Sequence, residues 1–171
     1  MEPKEAARPH STINPFSDAY KDNDEAKNIF LQAWGLEPEY NDPNTRHVLL
    51  RWMNGEDEIG TRYTQIIHLI GHPGNRWEFH SIQVKAQSDD SLKRNTFYDL
   101  GSYSRAQRDQ ILVLANAVRF KPVSSVNNCQ TWMRDLLEAM VDNDLLSLEK
   151  FKEYEREIPL KRRVSEDDLN D

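Results

Sequence analysis

A single cysteine, Cys129, stands among 171 residues. One thiol excludes an internal disulfide and any zinc site built from several cysteines, and it fits a reducing compartment. Long hydrophobic runs are missing as well. No window approaches the roughly 18 apolar residues needed to cross a bilayer, and the opening MEPKEAARPH lacks the apolar core of a secretory signal. The expectation is a soluble, cytoplasmic protein with no transmembrane segment. Basic charge is scarce: 22 Lys and Arg stand against 29 Asp and Glu, for a net charge of −7. With no Lys/Arg stripe to meet a phosphate backbone, no nucleic-acid partner is expected. The charge is also uneven: residues 1–44 carry −5, 45–147 are neutral and 148–171 carry −2. The acidic ends are candidate arms for a protein partner.

Periodicity divides the chain into an arm, one domain and a tail. Residues 1–21 hold Pro3, Pro9 and Pro15 among polar residues and read as a mobile arm. Residues 22–157 read as a single α+β domain. Asp22 with Glu25 resembles a capping box ahead of Ala26, Ile29, Phe30, Ala33 and Trp34, with Gly35 as the stop, which predicts an amphipathic helix. Three runs then predict antiparallel strands, His47 to Met53, Tyr63 to Ile70 and Trp77 to Val84, separated by NGEDEIG and GHPGN. TFYDLGSYS offers one more short strand before a turn at Gly101. Helices follow behind Ser104, which forms a capping box with Gln107, within VNNCQTWMRDLLEAM, and from Leu148 to Glu157 behind Ser147. The fold class is a small antiparallel sheet of 3–5 strands packed against helices. Residues 158–171 read as a disordered acidic tail with too few apolar residues to pack.

N-N-C-Q-T-W is the most specific feature. Asn127 or Asn128 is a good N-cap, which leaves Cys129 among free backbone N–H groups at the positive end of the helix dipole. That position favours the thiolate, the form that attacks carbonyls. Trp132, Met133, Leu136 and Met140 share its face, so the sulfur is expected to point toward the sheet. If the first two strands pair about the centre of NGEDEIG, His47 faces His68. The next turn brings His80 opposite His68 in one register and misses it in the register one residue away. Alternation groups His68 with Ile66 and Ile70, which would turn the row toward the covering helices. A cysteine aimed at imidazoles is a candidate nucleophile with base and orienter. A small buried hydrophobe is the competing reading of Cys129, and a satisfied core histidine that of His80. His10 and His72 read as solvated. The histidines stand singly on strands without clustered ligand spacing, so neither metal nor cofactor is expected. Trp52, Trp77 and Trp132 read as core before pocket.

The order of a strand His, a second strand His and Asn-Cys-x-x-aromatic at a helix start resembles the circularly permuted NlpC/P60 papain-like proteins. Their best-known branch contains lecithin:retinol acyltransferase and the H-Ras-suppressor-like phospholipases. RHVLLRWMNG, IIHLIG and NNCQTW carry the likeness, over roughly residues 45–146. IHLIGHPGNRWEF and NNCQTWMRDLLEAM are similar in addition to small fungal proteins with His, His and Asn-Cys-x-x-Trp motifs. Val48 stands where the family has an aromatic residue, and the membrane-anchoring helix of the lipid enzymes has no counterpart, so no lipid substrate is implied. The resemblance implies a papain-like fold and thiol chemistry on an acyl group of a small molecule or peptide. In it Cys129 attacks, His47 moves the proton and His68 orients His47. Water as acceptor makes a hydrolase, and an amine or alcohol makes an acyltransferase. The alternative is a non-catalytic interaction module on the same shell.

Overall fold

The structure is a computed structural model that describes residues 15–36, 46–72, 75–79, 83–158 and 160–166. It is α+β. A short helix α1 (Pro15–Ala19) precedes β1 (Lys27–Trp34), β2 (Val48–Glu56), β3 (Arg62–His72), β4 (Asn75–Phe79) and β5 (Val84–Ala86). A further short helix, α2 (Asp89–Arg94), leads into β6 (Asn95–Tyr103). Three helices close the chain: α3 (Arg105–Ala117), α4 (Cys129–Asp142) and α5 (Leu148–Glu157). The strands form one antiparallel sheet in the order β4-β3-β2-β1-β6, with β5 pairing β3 as well. The single run expected from Trp77 to Val84 is thus two strands in succession, β4 and β5, both on the free edge of β3.

The helix expected after Asp22 is a strand. KNIFLQAW satisfies two periods at once, but Leu31 fits only the twofold one, and Ile29, Leu31 and Ala33 are all fully buried on one face. The acidic pair that mimicked a helix cap serves Arg108 of α3. That guanidinium is fully buried and donates to both carboxylate oxygens of Asp22 (2.9 and 3.0 Å) and to the backbone oxygens of Asn23, Glu25 and Tyr103. A buried charge with five such bonds is satisfied. The bend expected at Gly101 is a bulge within β6: Ile29 pairs with Gly101 and Phe30 with Asp99, and Gly101 has φ 106°, which favours glycine.

The inner face of the sheet carries Ile29, Leu31, Ala33, Val48, Leu50, Trp52, Ile67 and Leu69. Ile111 of α3, Trp132, Met133, Leu136 and Met140 of α4, and Phe151 and Tyr154 of α5 cover it. α4 is the central helix, packed on β2 and β3 and flanked by α3 and α5. Trp52 and Trp132 are core. The cap at Ser104 is a full capping box with Gln107, and Ser147 caps α5.

Both expected mobile ends contain packed residues. In the arm, the rings of Phe16 and Tyr20 pack on Tyr63, Tyr20 stacking at 3.8 Å. In the tail, Ile158 and Leu160 are buried in the core. Arg163 bonds Asp135, and Val164 and Asn127 exchange two hydrogen bonds between the backbone of one and the carboxamide of the other. Residues 1–14 and 167–171 lie outside the described residues.

Candidate functional site

Cys129 is the first residue of α4, and Asn128 is its N-cap. The Asn128 carboxamide oxygen accepts from the N–H groups of Gln130 and Thr131, and the Thr131 side chain closes the box on the Asn128 N–H. The helix therefore begins at a fixed place, with the half-buried thiol at its positive end. Sγ donates toward the carbonyl oxygen of Arg46 at 4.0 Å. The same oxygen accepts from the buried Gln130 carboxamide at 3.0 Å, and Arg46 is itself held by a bond from Nε to the Trp34 carbonyl, 2.7 Å. The thiol thus stands beside the peptide that joins Arg46 to His47.

His47 and His68 meet. Nε2 of His47 is 2.7 Å from Nδ1 of His68, with the rings edge to face. Nε2 of His68 is 3.1 Å from Oε1 of Gln83. An amide oxygen only accepts, so His68 carries its proton on Nε2 and presents Nδ1 as an acceptor; His47 then donates from Nε2 and leaves Nδ1 with its lone pair. The chain of bonds sets both tautomers. Burial, with Lys85 nearby, pushes the pKa of His47 down to about 4. Burial, the neighbouring His47 and Lys85 push His68 to about 3, against the opposing pull of the Gln83 bond. Both rings are neutral at pH 7, the form in which an imidazole accepts a proton.

The pairing differs from the expected one in register. β2 and β3 pair with Leu50 opposite Ile67 and Arg51 opposite Ile66, and shift at a bulge between Met53 and Gly55. The offset from the expected register is two residues, so His47 and His68 are diagonal neighbours and still share a face. That face is the outer one. The residues meeting α4 are Val48, Leu50, Ile67 and Leu69, while His47, Leu49, Arg51, Ile66 and His68 alternate to the other side. The histidine row does not face the helices. Nor is His80 opposite His68: Phe79 holds that place, in the register that misses His80. His80 itself lies outside the described residues.

Gln83, Arg46 and Gln130 were not singled out in the sequence. Gln83 reaches His68 because the Ile66 N–H bonds its carbonyl, just beyond where Gln65 pairs with Val84; that register belongs to β5 and not to the hairpin before it. Gln130, with Thr131 and Arg134, is a polar residue buried on a helix whose other buried residues are apolar, a pattern that could have flagged it. Among the described residues, no group of three or more His, Cys, Asp and Glu is arranged to hold a metal ion, and no helix is long and apolar enough to cross a membrane. Comparison with protein-family models, curated proteins and solved structures finds no match to the chain.

Proposed function

We propose that the chain is a cysteine-dependent acyl-transfer enzyme of the permuted NlpC/P60 papain-like kind, in which Cys129, His47 and His68 act on an amide, ester or thioester. The observation that carries the reading is the 2.7 Å bond between His47 Nε2 and His68 Nδ1, anchored at Gln83. It leaves Nδ1 of a neutral His47 as the one basic nitrogen of the pair. The Arg46–His47 peptide adjoins the thiol at the start of β2, and the reading requires Nδ1 to turn to Sγ around that edge. Cys129 loses its proton to His47 and adds to the substrate carbonyl; the tetrahedral oxyanion lies at the N-terminus of α4, at the positive end of the helix dipole. His47 then protonates the leaving group, and water, an amine or an alcohol takes the acyl group from sulfur.

A non-catalytic binding module is the second reading. Two observations favour it: the imidazoles occupy the face away from α4, and Sγ donates toward a backbone carbonyl. Incubation with 4-nitrophenyl acetate, followed by intact-mass and peptide mass spectrometry, separates the two. The enzyme reading expects a burst of 4-nitrophenolate and an acetyl adduct on Cys129 that H47Q slows at least tenfold, on the order of a general base's contribution. A thiol that acylates no faster than free cysteine, and equally in H47Q, leaves the binding module.

A further inference from the structure

Away from the thiol, the outer face of the sheet holds a groove of about 680 Å3 over β1, β2 and β6, with Phe30, Met53, Leu92 and Phe97 among its walls and Arg51 in its floor. Its volume suits a small molecule. Arg51 is only 8% exposed, yet it has no carboxylate partner among the described residues. Its one hydrogen bond there runs from Nη1 to Gln32 Oε1 at 3.2 Å, and its guanidinium lies over the Phe97 ring, 5.3 Å from the centroid. Arg108, which is fully buried, is by contrast held by Asp22 and three carbonyls. Burial and the nearby Arg62 lower the pKa of Arg51 from its ordinary value, so the cation is held where water solvates it poorly and a like charge opposes it. A planar fork of donors lying on an aromatic ring, with apolar walls on either side, matches a carboxylate joined to a hydrocarbon or aromatic body. The other charges bordering the groove are Glu25, Lys27, paired with Asp22, and Arg62, paired with Glu56; with Glu25 opposing it, the cation of Arg51 suits a single negative charge.

We propose that this groove binds a small-molecule monocarboxylate, with the carboxylate on Arg51 and the apolar body against Phe30, Met53 and Phe97. Arg51 stands four residues along the strand from His47, about 13 Å, so the site does not depend on the thiol chemistry. The test uses the full chain with 4-phenylbutyrate, the uncharged 4-phenylbutan-1-ol and phenyl phosphate as probes, read by calorimetry and by the methyl resonance of Met53. The expected result is saturable binding of 4-phenylbutyrate that shifts the Met53 signal, at least about tenfold tighter than the alcohol and tighter than the dianionic phosphate. R51M should abolish the preference for the carboxylate while raising the melting temperature, because it removes a buried charge with no counter-ion; R51K should keep part of the preference. Carboxylate and alcohol binding alike or not at all, phosphate binding more tightly, or a preference that survives R51M would overturn the proposal. A fall of several degrees in melting temperature for both variants, with no binding to the wild type, would make Arg51 a structural residue.

Discussion

The two nitrogens of His68 have opposite roles, one donating to Gln83 and the other accepting from His47. Protonation of His68 at Nδ1 breaks this order, since it removes the acceptor and sets two donors 2.7 Å apart. Both histidines have folded pKa values below the ordinary 6.5, about 4 and about 3. The unfolded chain therefore binds more protons between pH 6.5 and those values. The stability conferred is complete above pH 6.5 and is lost as pH falls through the window, with a slope of about 1 kcal/mol per pH unit for each ring. Chemical denaturation at a series of pH values checks this: stability should fall from pH 7 to pH 4, and the double variant H47Q/H68Q should flatten the part due to these rings. The sequence disclosed the pair because the register error was two residues, which preserves the face of a strand. An error of one would have separated the rings. Gln83 was not legible, because its contact depends on the pairing of β5 with β3 and not on the hairpin that the sequence suggested.

The capping box at Ser104 and the cap at Ser147 were legible because each is a local hydrogen-bond pattern written within four residues, and the cap of α4 was narrowed to Asn127 or Asn128, of which the second holds it. β1 was not, because its helical and strand periods overlap and the deciding partner, Arg108, lies more than 80 residues away from Asp22. Local pattern was overruled by the need to pair a buried guanidinium. Burial alone would raise the pKa of Asp22, but the bonds from Arg108 and Lys27 outweigh it and hold the carboxyl below its usual value. D22N should then cost about 3–5 kcal/mol, the scale of a broken buried ion pair, as read by the urea midpoint. An exposed exchange such as E58Q should leave the midpoint unchanged.

Across the whole molecule, charge misled at the ends and patterning succeeded in the middle. The segment after α5 is rich in charge, so its few aliphatic residues did not register as packing; Ile158 and Leu160 nevertheless complete the core under α5. I158A should destabilise the domain by about 2–5 kcal/mol, the cost of emptying a core aliphatic site, whereas a mobile tail would tolerate it without change. The α+β class and the sheet packed against helices were legible because each follows from element order. Which face of the sheet carries the imidazoles was not, since alternation orders residues on a strand without saying which side the helices cover. The account rests on His47 activating Cys129 around the start of β2. Its most direct test is the rate at which iodoacetamide alkylates Cys129 at pH 7, in wild type and in H47Q. The account predicts alkylation faster than that of free cysteine and at least tenfold slower in H47Q; equal rates in the two proteins would contradict it.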